Sequence, residues 1–302
     1  MFHKESYDRH GDWYNQQFPT EASKKAYLSR RKPPGSKDLG TWLQQLFFSC
    51  IDPLLECKAQ TWLTVGDPYG FDAEYILRQD NDALATDLNT DMLKVAFNEG
   101  IVTAFSAENA ERLSFEDNRF DFVLCKESYH HFPRPYAALY EMIRVARKGI
   151  IIIEPQDPIS KMPALLFVVN LLAAIKNSLV AKVWKNRFSY EPVGNFVYKV
   201  SEREFEKFAA GINLPMLAFK TFNPNFYFKG ADETPVSLKN GKFRSIYLKK
   251  SLLDMMSRLR LFPGQVLATI VFKELPDARL MDSLRRNGYR LLNIPENPYL
   301  KR

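Results

Sequence analysis

Cysteine, glycine and long apolar runs are all scarce in this chain, and each scarcity removes a class of protein. The three cysteines, Cys50, Cys57 and Cys125, are an odd number at spacings that match neither a disulfide framework nor a CxxC metal site. They read as reduced, packed thiols of a cytoplasmic protein. The longest apolar stretch, Pro163 to Ile175, has 13 residues, against the ~20 needed to cross a bilayer. A transmembrane span is excluded on that count, and an interfacial helix is not. The opening MFHKESYDRHGDWYNQQF places charges and aromatics where a secretory leader needs an apolar run, so export is not expected. None of the 13 glycines belongs to a GxGxxG, which argues against a pyrophosphate seated at a helix N-terminus. No fixed-period repeat or low-complexity tract is present.

What remains is a folded chain of 302 residues, 46% hydrophobic and 25% charged, long enough for one elaborated domain. Its net charge of +7 is unevenly spread: residues 1–158 hold 18 basic and 24 acidic side chains, and residues 159–302 hold 24 and 11. The basic character belongs to the second half. Such a surface attracts phosphate, nucleotide, nucleic acid or an anionic membrane face by long-range steering, or is simply a solvated, lysine-rich exterior.

From Trp62 to Pro155 the pattern alternates. TWLTVG (61–66) is a short apolar run stopped by DPYG, after which FDAEYILRQ has helical spacing. ALATDL (83–88) precedes NTDMLKVAFNEG, a second helix stopped by Gly100. IVTAF (101–105), FDFVLCK (120–126) and GIIIIEP (149–155) add three strand-like runs, with an amphipathic helix from Tyr136 to Arg147. Strands alternating with helices predict a parallel sheet covered on both faces, with its ligand site at the carboxyl ends of the strands. The residues that end the runs are Gly66, Asp67 and Gly70, then Asp87, then Lys126 and Glu127, then Glu154. Glycine lets a backbone approach a ligand because no Cβ intervenes. Asp87, closing the second strand, is placed to accept hydrogen bonds from both ribose hydroxyls of an adenosine group. The ligand expected is an adenosine without a pyrophosphate. Gly66 and Gly70 as plain turn residues, and Asp87 as a helix cap, remain open at this level.

The pieces TVGDPYG (64–70), ATDLNTDML (85–93), AENAERLSFEDNRFDFVLCKESYHHF (107–132) and RVARKGIIIIEP (144–155), in that order, together resemble a class I S-adenosylmethionine-dependent methyltransferase of the type 11 group. The resemblance covers about a third of the chain and implies an α/β fold, a Rossmann-like seven-stranded sheet, mostly parallel with the last strand antiparallel. It implies S-adenosylmethionine as cofactor, with Gly66, Asp67 and Gly70 at its methionine end and Asp87 on its ribose. Leu88 and Met92 would flank the adenine, Asn109 and Ala110 would touch its edge, and Lys126 would lie near the amino-acid part through its backbone. Pro68 stands where the family has a second glycine, and proline fixes φ and removes an N–H.

Methyl transfer to oxygen needs a positioned acceptor and gains from a base. KESYHHF (126–132) follows the fourth strand and offers His131 and His130, in that order, with Glu127 fixing a tautomer or acting itself. The alternative for this pair is packing under the loop. No metal is expected: no further His or Cys stands at ligand spacing, His3 and His10 lie in the N-terminal arm, and Glu154 and Asp157 read as surface acids.

The chain divides into an arm or lid (1–40), a cofactor-binding core (41–158), and a remainder (159–302) of the same domain. The arm combines Tyr7, Trp13, Tyr14, Phe18 and Tyr27 with RRKPPG, and packs over the cofactor or on a second subunit as a homodimer. Lys161 to Lys185 reads as one helix, apolar on more than one side, to be buried under the lid, in a dimer or against lipid head groups. Ser201 and Glu204 form a capping box, and 216–223 and 265–273 suit the sixth and seventh strands. The insertion between them, with NPNFYFKG and GKFRSIYLKK, suits a planar or sugar-like anionic substrate or is a pair of solvated loops. The function expected is O-methylation of a small or glycan-like acceptor, such as a nucleotide sugar or a saccharide of a surface polysaccharide. The rivals are RNA methylation, although nucleic acid is not the expected partner in the absence of an RNA-binding module, and a non-catalytic adenosine-ligand scaffold.

Overall fold

Apolar residues alternate along the strands and sort onto two faces of one sheet. In the computed structural model, which describes residues 2–30, 32, 35–157, 162–184, 187–191 and 194–299, Trp62, Phe122, Ile151 and Ile153 pack on one face, with Leu63, Val123, Ile150 and Ile152 on the other. This is the period-two signature of a strand with both faces covered.

Eight strands are present among the described residues: β1 (Thr61–Val65), β2 (Asp82–Asp87), β3 (Phe105–Ala107), β4 (Phe120–Lys126), β5 (Ala146–Pro155), β6 (Met216–Phe222), β7 (Val266–Phe272) and β8 (Arg290–Asn293). Their order is β3-β2-β1-β4-β5-β7-β6-β8. Neighbours from β3 to β5 run parallel, and β7 is antiparallel to both β5 and β6. The sheet therefore has eight strands where seven were expected. The additional one, β8, pairs antiparallel with β6 at the edge; it is four residues long and only half-buried, too short and too polar to stand out as an apolar run. β3 starts only at Phe105, and Val102 of the expected strand packs against Gly70 instead.

The helices are α1 (Phe2–Gln17), α2 (Glu21–Ser29), α3 (Leu39–Phe48), α4 (Asp52–Leu55), α5 (Phe71–Leu77), α6 (Asp91–Asn98), α7 (Pro135–Val145), α8 (Pro163–Ile175), α9 (Asn177–Val183), α10 (Glu202–Gly211), α11 (Gly241–Arg258) and α12 (Ala278–Arg286). Side chains cap several of them as polar residues at helix starts do. Thr20 and Ser23 form a capping box on α2, Asp38 accepts from Thr41 N at 3.0 Å on α3, and the expected Ser201–Glu204 box opens α10.

Three expectations are corrected here. Cys50 and Cys125 are buried but Cys57 is exposed. The single helix expected over 161–185 is two, α8 and α9, separated at Lys176, whose φ of −162° is extended backbone. Rather than being covered by this chain, α8 buries only Val169. The GKFRSIYLKK segment is the start of α11, and its Phe243 packs against Leu39 and Leu43 instead of facing a ligand. No helix among the described residues is long and apolar enough to cross a membrane.

Candidate active site

The strand order reverses direction between β1 and β4, and the crevice at their carboxyl ends is where such sheets bind ligands. Gly66 follows β1 with φ +68°, and a Cβ there would stand 2.5 Å from Ser128 Cβ. The loop after β4 closes directly on it: Ser128 Oγ donates to Gly66 O at 2.5 Å. Gly70, φ +72°, precedes α5, and a Cβ there would stand 2.4 Å from Val102 Cγ1. Gly66→Ala combines left-handed backbone strain with a clash. It should cost about 3 kcal/mol, read as a fall in melting temperature of roughly 6 °C in calorimetry.

Asp67 does not face the crevice with its carboxylate. That group accepts from Ala73 N at 2.9 Å and Thr64 Oγ1 at 3.0 Å, and so fixes the first turn of α5. The turn thereby keeps its shape with Pro68 in it. Lys126 likewise sends its side chain inward: Nζ lies 3.1 Å from Asp72 Oδ1 and over the rings of Phe47 and Phe48. Burial opposes its charge, but the carboxylates of Asp72, Glu127 and Asp67 hold its pKa above the ordinary value.

Asp87 ends β2 and is buried. Its Oδ1 accepts from Asn89 N at 2.9 Å, and burial pushes its pKa up to about 7. An ionised carboxylate so placed lacks the solvation it would have in water. Beyond it, Leu88 is 44% exposed while Met92 and Ala110 are core residues. Of the four residues expected around an adenine, Leu88 and Asn109 therefore remain accessible.

Two histidines sit in the short 3-10 turn Tyr129–His131 after β4. Sequence reading paired them with Glu127, but that residue is exposed, in left-handed backbone with φ +52°. The partner of His130 is Glu154, 0% exposed at the end of β5. Glu154 Oε1 accepts from Ser128 N (2.8 Å) and Tyr129 N (2.7 Å), and Oε2 lies 2.5 Å from His130 Nδ1. The expectation of a surface acid at 154 is overturned: parallel pairing of β5 with β4 brings its end under the histidine turn. Burial disfavours the His130 imidazolium, yet the hydrogen bond and charge of Glu154 raise its pKa above the ordinary value.

His131 Nδ1 lies 2.7 Å from Glu191 Oε2, in the approach of an ion pair rather than an aligned hydrogen bond. The segment carrying Glu191 is strapped to the turn by Asn195 Nδ2, which donates to His131 O at 3.1 Å. A ligand atom of each of His130, His131 and Glu191 lies within 4.8 Å of the others, a convergence on which a cation could sit and which sequence spacing did not show.

One further element was missed by sequence reading. Tyr7, His10 and Tyr14 recur at i, i+3 and i+7 along α1, which places them on one helical face. The Tyr7 hydroxyl lies beside Glu111 and Asn109, burial and Glu111 pushing its pKa up to about 12. The His10 ring is 5.7 Å from that of His131. Tyr14 is raised by burial and by the charge of Asp87, and packs with Phe18 and Tyr27 around Tyr69 of the β1 turn. Ser6 Oγ also donates to Asn195 Oδ1 at 2.6 Å. The aromatic content of the arm was visible in the sequence, and its spacing was the signal left unread.

Residues 63–153 match the methyltransferase domain family described as Methyltransf_11. A 68-residue stretch is 41% identical to the ubiquinone/menaquinone biosynthesis C-methyltransferase UbiE of Cupriavidus necator, covering 21% of this chain and 28% of that protein. The chain thus spans little more than a quarter of that curated relative. Among solved structures, a SAM-dependent methyltransferase from Archaeoglobus fulgidus is 14% identical, with a TM-score of 0.45 over 86% of this chain and 98% of that one. A Haemonchus contortus phosphoethanolamine N-methyltransferase 2, in complex with phosphomonomethylethanolamine and S-adenosylhomocysteine, is also 14% identical, with a TM-score of 0.48 over 86% and 59%.

Proposed function

We propose that this chain, whose residues 63–153 match a methyltransferase domain, is an S-adenosylmethionine-dependent enzyme that methylates a hydroxyl of a small or glycan-like acceptor. The observation that carries the reading is the reach of α1, one face of which carries Tyr14, raised in pKa by the nearby charge of Asp87, and His10, whose ring lies 5.7 Å from that of His131. A cofactor-holding acid and a proton acceptor thus lie under one cover.

The residues present fit an adenosine group. Asp87 is a buried carboxylate whose high pKa marks an unmet need for donors, and two ribose hydroxyls are such donors. It would hold the ribose, with Leu88 and Asn109 at the adenine and the backbone of Gly66, Gly70 and Lys126 at the methionine end. When bound, the cofactor supplies a methyl group activated by a sulfonium. With Nδ1 engaged by Glu154, His130 would keep Nε2 to take the proton of the acceptor hydroxyl. The geometry favours His130 over His131 as this base, because only His130 has a fully buried carboxylate fixing its tautomer.

Since free Asp87 is half-protonated near pH 7 and the carboxylate form is the one that accepts both hydroxyls, cofactor affinity should rise with pH from about 6 to about 8 and then level. Titration calorimetry in buffers of different ionisation enthalpy would show proton release on binding near pH 6 and none above pH 8. An affinity flat across that range removes Asp87 from the ribose.

Incubation of a cell extract with labelled cofactor, followed by fractionation, tests the acceptor. Counts in glycan or small-molecule hydroxyls support the reading, and counts in nucleic acid favour the RNA alternative. Their absence from every fraction, with cofactor binding intact, favours a scaffold. The match to a C-methyltransferase supports carbon as the second reading, separated from oxygen by the carbon NMR shift of the transferred methyl and by hydriodic acid, which releases it as iodomethane from an ether alone.

A further inference from the structure

Helix α8 is apolar from Pro163 to Ile175, with no charged residue in its 13 positions, and the described residues cover little of it besides Val169. Phe167 is 69% exposed, Leu171 54% and Ile175 69%, and Leu166 and Val168 are exposed as well. After the break at Lys176, α9 continues in the same character, with Val183 exposed. An exposed apolar surface of this kind marks a contact site.

The charge around it points to the occupant. Between Asp157 and Glu191 the sequence holds five Lys or Arg and no Asp or Glu. Lys176, Lys182 and Arg187 are exposed, and the Arg187 guanidinium lies 5.5 Å from the ring of Trp184 and 5.3 Å from that of Phe188. A second copy of this surface would bring like charges together with no acid in the segment to pair them. An anionic bilayer meets every part of the pattern: apolar side chains for the acyl boundary, cations for the head groups, and Trp and Tyr for the interface between them. At about 20 Å, α8 is too short to span and long enough to lie in that interface.

We infer that α8 and α9 dock this protein on the surface of a membrane containing anionic lipid. Only a few residues separate α9 from Glu191, the partner of His131, so docking brings the histidine turn to the bilayer. On the transferase reading, which the docking itself does not require, the glycan-like acceptor is then one linked to a lipid.

Sedimentation with vesicles tests it without cofactor or turnover, so failure of docking and failure of the transferase reading are told apart. The full chain should bind phosphatidylcholine vesicles containing phosphatidylglycerol, bind pure phosphatidylcholine weakly, and lose the difference in high salt. The double variant Phe167→Asp with Leu171→Asp should reduce partitioning roughly a hundredfold, and Lys182→Glu about fivefold or more, on the anionic vesicles alone. Both sites are exposed, so circular dichroism and cofactor affinity should stay as in the wild type. No binding to anionic vesicles, or binding that the double variant leaves intact, overturns the inference. A dimer in light scattering that the double variant dissolves, without vesicle binding, assigns the surface to a second copy instead.

Discussion

Glu154→Gln should lower turnover roughly a hundredfold or more while cofactor affinity stays within about twofold. The glutamine Oε1 can still accept from Ser128 N and Tyr129 N, so the loop keeps its anchor. Its amide then presents an N–H to His130 Nδ1, and the imidazole is driven to the tautomer with its proton on Nε2, the nitrogen that has to accept one. The pH profile separates this from a general loosening of the fold. In the wild type the rate should rise through a pKa above that of a free imidazole, because Glu154 stabilises the imidazolium. Removing the charge lowers that pKa, so the rising limb of the residual activity moves to lower pH. His130→Ala should lose at least as much turnover, and His131→Ala less. If both histidine variants turn over normally, acceptor positioning alone is the mechanism and Glu154 is a loop anchor.

Asp87→Asn should raise the cofactor dissociation constant about a hundredfold, the loss of two hydrogen bonds to a charged acceptor at roughly 1.5 kcal/mol each. The same change should stabilise the free protein. Asp87 has a folded pKa of about 7 against an ordinary 3.8. Burying it as an anion costs nothing below the lower value and costs most above the higher one. The variant should therefore melt several degrees above the wild type at about pH 8, the two converging near pH 4. Calorimetry at the two pH values, with and without cofactor, reads both effects. A variant that binds cofactor normally and gains no stability would show the carboxylate to be a plain turn residue.

Much of the fold was legible because its core strands are unusually apolar and its turns end in glycine or acid. Runs such as GIIIIEP, buried on both faces, cannot be mistaken for surface strands. Where the pattern was short or mixed, sequence reading erred. β8 is four half-buried residues, and of the three covers expected for the run from Lys161, the lid is the one the fold does not supply, since α8 buries only Val169. The site divides the same way. Asp87 and the histidine pair were singled out as candidates from their position at strand ends, but the side chains they meet were not. Glu154 was taken for a surface acid, and Glu191 and His10 lie far from residue 131 in the chain.

Local pattern thus determined the elements and the strand ends at which chemistry would stand, because hydrophobic period and turn residues act over a few positions. Which side chains meet there was decided only by the packed sheet. The pairing of β5 with β4 sets Glu154 beneath His130. The crossing of α1 sets His10 beside His131 and Tyr14 within the field of Asp87. Contacts between residues distant in sequence cost chain entropy that only the whole core repays, and no short window of sequence carries that sum.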